Sequence, residues 1–231
     1  MLLRLKSVLT GEEVARARAM LGNDAAWMDG AATAGAQAHA VKHNQQIPAD
    51  SETSRALQPL LLGALQRDPV FLSAALPKRI FPPRFNRYRA PGERYGAHID
   101  NAILRSGQRQ GDADWLRADL SCTVFLSDPS EHDGGELVVH DRLGAQAFKQ
   151  DPGDPQLYPT GLLHEVRPDT RGQRIASFFW IESLVAGEDR RRALFDLDMN
   201  LLSLRARHGE SDETVALTGV YHNLLRMWAT P

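Results

Sequence analysis

Cysteine is almost missing from this chain of 231 residues, with Cys122 the only one. An internal disulfide is therefore excluded, and with it the small stapled scaffolds typical of short secreted domains. Set in the apolar run DLSCTVFL, its thiol is predicted to pack as a small hydrophobe. An excess of charge of one sign is missing too, since 27 Lys and Arg face 29 Asp and Glu for a formal charge of -2. Nothing in that balance draws the chain to a phosphate backbone or an anionic lipid surface, so neither nucleic acid nor a membrane is expected as a partner. No stretch reaches the roughly 18 apolar residues of a membrane span, and MLLRLKSVLTGEEV meets charge too early for a secretory signal. The cytoplasm is the expected compartment. Internal repeats and low-complexity tracts are absent as well.

What is present reads as one main domain with a small accessory unit. Thr10 and Glu13 form a capping box, which predicts a helix from Gly11 to about Leu21 burying Val14, Ala17, Met20 and Leu21. AATAGAQAHAVKHNQQIP is small and polar and reads as a loop or short strand. SETSRALQPLLLGALQRD spaces Leu57, Leu60, Leu61 and Leu65 as a second helix. From Arg79 the texture changes to short β-prone segments split by Gly, Pro, Asn and Asp. These are IFPPRFNRYRA, YGAHIDNAI, RADLSCTVFLSD, GELVVHD, AQAFKQ, PQLYP, LLHEV and QRIASFFWIES. So many short strands predict a barrel or a two-sheet jelly roll. After Ser183, Leu194, Leu197, Leu201 and Leu204, then Val220, Leu224 and Trp228, return to helical spacing. The expected division is 1–78 as a helical and mixed segment packing on the core, 79–183 as the β core, and 184–231 as a C-terminal helical unit. That unit is expected to lie on the barrel or to join a second copy into a homo-oligomer. GQRQGDADW reads as a mobile loop near His98.

Side chains two apart on a strand share a face, so His98 and Asp100 are placed to reach one ion while Ile99 points into the opposite layer. An HxD pair alone is weak, because a chain of this composition throws one up by chance. A third ligand strengthens it. RPDTRG carries turn residues between LLHEV and QRIASFFWIES, which predicts an antiparallel hairpin with His164 opposite Arg174. Two imidazoles and a carboxylate take one face of an octahedral iron(II) and leave positions for a keto acid and for O2. The planar fork of Arg174 suits the far carboxylate of 2-oxoglutarate.

RYRAPGERYGAHIDNAI, DLSCTVFLSDPSEHDGGELVV, LYPTGLLHEV and TRGQRIASFFWIES together resemble the bacterial PKHD-type hydroxylases, relatives of the prolyl 4-hydroxylase branch of the 2-oxoglutarate dioxygenases. KHNQQIP and LTGVYHNLLRMWA extend the likeness over most of the chain. The resemblance implies a mainly β fold with flanking helices around a double-stranded β-helix, a cupin-like jelly roll. It implies iron on His98, Asp100 and His164, 2-oxoglutarate on Arg174, and ascorbate as a supporting reductant. It also implies a tyrosine upstream of the first histidine at the keto acid. Tyr88 and Tyr95 both suit that place, and Tyr88 is taken. Two departures stand out. Pro155 and Gln156 fall where apolar strand residues are expected, and Ser177, three after Arg174, should face away from it.

The function implied is oxidative decarboxylation of 2-oxoglutarate to succinate and CO2 coupled to hydroxylation of a small-molecule or peptidyl substrate. A zinc hydrolase and a cupin-like binding protein are the competing readings of the same ligands. Other histidines point elsewhere. His39 and His43, four apart, lack a helical context; His132 and His140 flank a glycine turn; His222 reads as a capping or interface residue. FFWIES reads as barrel packing, and RRR as a solvated helical face.

Overall fold

The structure, a computed structural model, describes residues 1–33, 39–105 and 115–231, so the loop read as mobile falls outside it except for Trp115. Helix α1 (Gly11–Met20) starts as its sequence dictates. Thr10 Oγ1 accepts from the Glu13 N–H at 3.2 Å, and the Glu13 carboxylate accepts from the Thr10 N–H at 2.9 Å. Helix α2 (Glu52–Arg67) buries Leu57, Leu61 and Leu65. A third helix, α3 (Pro69–Ala75), was not expected. Asp68 ends α2 and caps α3, with Pro69 at the helix start where its missing N–H costs nothing.

Two antiparallel sheets make the core. The larger runs β1 (Leu3–Arg4), β14 (Pro155–Pro159), β10 (Leu120–Phe125), β17 (Gln173–Ser183), β6 (Arg84–Arg89), β4 (Gln45–Gln46) and β2 (Met28–Asp29). Strand β5 (Pro77–Ile80) pairs with the far half of β17, because Pro82 and Pro83 interrupt IFPPRF and split it from β6. The smaller runs β13 (Gly144–Phe148), β12 (Leu137–Asp141), β15 (Leu163–Val166), β7 (Arg94–His98) and β3 (Lys42–His43). The hairpin of β8 (Ile103–Arg105) with β9 (Trp115–Arg117) and the ribbon of β11 (Asp133–Gly134) with β16 (Asp169–Arg171) complete the strands. This is the expected jelly roll with flanking helices.

Alternation on the larger sheet separates core from cavity. Outward, Leu120, Cys122, Val124, Phe85, Ile175, Phe179 and Ile181 merge with Val14, Ala17, Leu57, Leu61 and Phe71 of the helices in one apolar core. Cys122 is buried and free, as expected. Inward, the register aligns Gln156, Thr123, Phe178 and Arg84 in one row, and Phe125, Ala176, Asn86 and Gln46 in the next. Strand β14 forms despite its two unusual residues. Pro155 opens the strand, and Gln156, fully buried, accepts a hydrogen bond from the Gln150 side-chain amide.

Two expectations fail. LLHEV and QRIASFFWIES do not form a hairpin: β15 lies between β12 and β7 in the smaller sheet, and β17 between β10 and β6 in the larger. Asp169–Arg171 is a strand of its own, and at Gly172, where φ is 71°, a Cβ would meet the Glu131 carbonyl oxygen at 2.1 Å. The chain thus crosses between the sheets instead of turning back. The second failure is Ile99. Strand β7 ends at His98, and Ile99 is 58% exposed instead of entering a layer.

At the C terminus, α4 (Glu188–His208) and α5 (Asp212–Trp228) pack with each other and with the end of β17. Leu194, Tyr221, Leu224, Leu225 and Trp228 cluster on Leu76 and Val185. The RRR reading is half right. Arg190 and Arg192 are exposed, but Arg191 is buried and donates to the Val185 and Ala186 carbonyls, each at 2.7 Å.

Candidate metal centre and co-substrate cavity

The smaller sheet supplies two imidazoles side by side. Register sets His164 on β15 opposite His98 on β7, with Val139 on the other flank. Asp100, just past the end of β7, turns its carboxylate between them. His98 Nε2 lies 3.7 Å from Oδ1, and His164 Nε2 lies 3.6 Å from Oδ2. Among the described residues, His98, Asp100 and His164 form the one cluster suited to a metal, with ligand atoms all within 4.8 Å of one another.

Both imidazoles are prepared for the role. His98 Nδ1 bonds the Gly96 carbonyl at 2.8 Å and His164 Nδ1 bonds the Leu162 carbonyl at 3.0 Å, which assigns the proton to Nδ1 and leaves the Nε2 lone pair facing inward. Burial, reinforced by the neighbouring His164, pushes the His98 pKa down to about 4 against the pull of Asp100, so its ring is neutral at ordinary pH. Asp100 Oδ2 is itself fixed from the larger sheet, accepting from Ser121 Oγ at 3.0 Å and Trp180 Nε1 at 2.9 Å. Tyr95 stacks on His98 at 3.6 Å between centroids, and Tyr158 meets His164 edge-on at 5.2 Å.

Arg174 comes from the opposite wall. It faces Tyr88 across β17 and β6 and is 2% exposed, with Nε and Nη1 lacking any hydrogen-bond partner. The guanidinium lies 5.3 Å from the Tyr88 ring and 5.3 Å from the Phe125 ring. Asp169, a buried acid whose charge acts on Arg174, meets His132 Nδ1 through Oδ1 at 3.1 Å, while its Oδ2 has no hydrogen-bond partner. A buried cation with idle donors is costly unless a ligand brings an acceptor. Tyr88 is wholly buried, and desolvation pushes its hydroxyl up to about 12, so it stays protonated. The cavity at Arg174 and the three candidate ligands holds about 360 Å³; Tyr95, Tyr158 and Thr123 also line it, whereas Tyr88 lies behind Arg174 and is not among its lining residues. The donor set suits iron(II), and the idle guanidinium suits a carboxylate.

The remaining histidines fall outside the cavity. His43 sits in β3, so no helical pair with His39 exists. His140 lies in β12, and His222 is exposed in mid-helix, not at a cap. Ser177 donates to the Arg84 carbonyl on the outward side, as its spacing required. The sequence reading missed Ser121 and Trp180 as supports of Asp100, and Tyr158 as a wall. Alternation in DLSCTVFL held a clue, since Ser121 and Thr123 are polar on one face of an otherwise apolar strand.

The profile of the 2OG-Fe(II) oxygenase superfamily matches residues 83–182, and that of the PKHD-type hydroxylase C-terminal domain matches residues 188–230. A PKHD-type hydroxylase of Polaromonas sp. is 53% identical over 99% of both chains, and one of Verminephrobacter eiseniae is 53% identical over 99% of both. Among solved structures, a Trichoplax adhaerens prolyl hydroxylase bound to a hypoxia inducible factor peptide has a TM-score of 0.55 at 17% identity, covering 84% of this chain and 86% of its own. A Pseudomonas putida prolyl-4-hydroxylase has a TM-score of 0.51 at 19% identity, covering 79% and 92%. These structures share the fold. The fold and ligand constellation define an iron- and 2-oxoglutarate-dependent oxygenase, an oxidoreductase. Within that class, the chain belongs to the PKHD-type hydroxylases. The zinc-hydrolase and binding-only readings are set aside.

Proposed function

We propose that His98, Asp100 and His164 hold iron(II), and that Arg174, backed by Tyr88, grips the far carboxylate of 2-oxoglutarate. The observation carrying this reading is the convergence of three ligand atoms from β7, its following turn and β15, facing a buried guanidinium with idle donors. Iron bound there supplies the O2-dependent oxidation that turns 2-oxoglutarate into succinate and CO2 while the substrate gains a hydroxyl. The protein's own part is positional. His98 and His164 present fixed Nε2 atoms, Ser121 and Trp180 orient Asp100, and Tyr95 and Tyr158 pack on the two imidazoles.

Ascorbate completes the reading as a reductant that restores the ferrous ion, and a small molecule or peptidyl side chain as the substrate. The cytoplasm is the working compartment, with neither nucleic acid nor membrane as partner; no helix among the described residues is long and apolar enough to cross a membrane. We divide the chain into 1–78, 79–183 and 184–231. The last unit is proposed to join two copies, through the exposed Leu202, Leu204, Val215, Leu217 and Val220 of α4 and α5. The decisive test is anaerobic iron loading, calorimetric titration with 2-oxoglutarate, then admission of O2 and assay of succinate. Saturable binding followed by O2-dependent succinate is expected; no keto-acid binding by the iron-loaded protein would overturn the assignment.

A further inference from the structure

A second cationic pole borders the same cavity, apart from the Arg174 that the reading above gives to 2-oxoglutarate. Arg84 lines the cavity on β6, where it faces Phe178 in the register. Its Nε is inaccessible to solvent and has no hydrogen-bond partner, while its guanidinium lies 5.3 Å from the Phe81 ring. Lys42, on the smaller sheet, also lines the cavity; burial pushes its pKa down to about 8, Asp100 pulls it back up, and Arg84 adds a smaller push downward. Burial depresses Arg84 likewise, and the exposed Asp50 is the acid that offsets it. Arg84 and Lys42 thus bring two positive groups to one partly desolvated cavity wall, a setting suited to an anionic group.

This pole stands apart from the keto-acid pole. Arg174 faces Tyr88, and Arg84 lies four residues further along β6, roughly 13 Å at the rise of an extended strand. Between Arg84 and the metal centre stands an aromatic wall. Phe81 meets Trp180 edge-on at 5.2 Å, Phe178 meets Trp180 at 5.6 Å, and Trp180 bonds Asp100. Resting on the functional reading above, we propose that the substrate is an organic carboxylate held head-first by Arg84, with Lys42 beside it. Its apolar body crosses Phe81, Phe178 and Trp180 to bring a C–H bond to the iron side.

The test uses full-length protein, anaerobic and iron-loaded. 2-Oxoglutarate is titrated first, to saturation, so that Arg174 is occupied. Straight-chain and aryl-substituted carboxylates, including 3-phenylpropanoate, are then titrated calorimetrically beside their neutral amides and beside phenyl phosphate. The wild type is expected to prefer carboxylates over the matching amides by about tenfold or more, as for a charge-assisted pair at a desolvated site. In Arg84→Gln that preference should collapse to near equality. Equal affinities for acid and amide across the series, a preference for the phosphate, or discrimination surviving in Arg84→Gln would each overturn the proposal. The wild-type comparison stands even where the variant does not fold. Absence of 2-oxoglutarate binding strikes the functional reading and this proposal together, whereas intact 2-oxoglutarate binding without discrimination strikes this proposal alone.

Discussion

The cavity between the sheets and the junction of β17 with the C-terminal helices each bury an arginine, and they treat it in opposite ways. Arg191 is 3% exposed and spends one nitrogen on two main-chain carbonyls, at 2.7 Å each. Arg174 is 2% exposed and leaves Nε and Nη1 without acceptors. Burial alone therefore does not mark a functional arginine. The junction uses its charge to tie a turn to a helix, and its partners are always present. The cavity holds its charge idle, at a cost to the folded state that a ligand repays.

That contrast breaks most sharply at Arg174. Arg174→Ala is expected to weaken 2-oxoglutarate binding by about two powers of ten, since two bonds to a charged group are worth about 3 kcal/mol together. Without 2-oxoglutarate, its melting temperature should not fall below that of the wild type, because an unpaired buried charge has been removed. Arg191→Ala should do the reverse. Stability is expected to drop by about 2–3 kcal/mol in denaturant titration as two carbonyls lose their donor, with the 2-oxoglutarate affinity unmoved. A destabilised Arg174→Ala that still bound 2-oxoglutarate normally would make the two arginines equivalent and end the comparison.

Trp180→Phe sharpens it at the metal. The substitution keeps the edge-on aromatic packing with Phe81 and Phe178 and deletes one donor to Asp100 Oδ2. Iron affinity is expected to fall about tenfold, the low end for losing a partner of a ligand, with Ser121 still in place. Competition against a chromogenic chelator measures it. An unchanged affinity would reduce Trp180 to wall packing, as its sequence context suggested.

The reason Trp180 was read that way is general to this fold. His98, Asp100, His164 and Arg174 stood out because each carries its own chemistry in a recognisable local string. The supports of Asp100 come from β10 and β17, which meet it only because the two sheets face each other, and nothing within FFWIES or DLSC states that meeting. The failed hairpin has the same origin. RPDTRG looks like a turn on local grounds, yet β16 pairs with β11 and each neighbouring strand joins a different sheet. Helix α3 escaped for a local reason instead: Asp68 closes the segment read as α2, and it is also the cap of the next helix. Pro155 and Gln156 looked wrong for a buried strand because a buried glutamine is tolerated only with a partner, here Gln150.

The smallest effect tests the most local feature. Thr10 and Glu13 satisfy each other within four residues, and the helix they start packs Val14 and Ala17 on the outward face of the larger sheet, opposite the cavity. Thr10→Ala removes one cap, which costs about 1 kcal/mol, or roughly 2–4 °C in Tm for a chain of this size. Because the outward and inward residues alternate on the same strands, a loosened outer core has a direct route to the cavity. Calorimetry on Thr10→Ala decides whether it is used. An unchanged 2-oxoglutarate affinity would show that the sheet insulates the buried charge from its helical cover. A weakened one would mean that α1 helps to hold Arg174 in place, and that the cavity's idle donors depend on packing from the far side of the sheet.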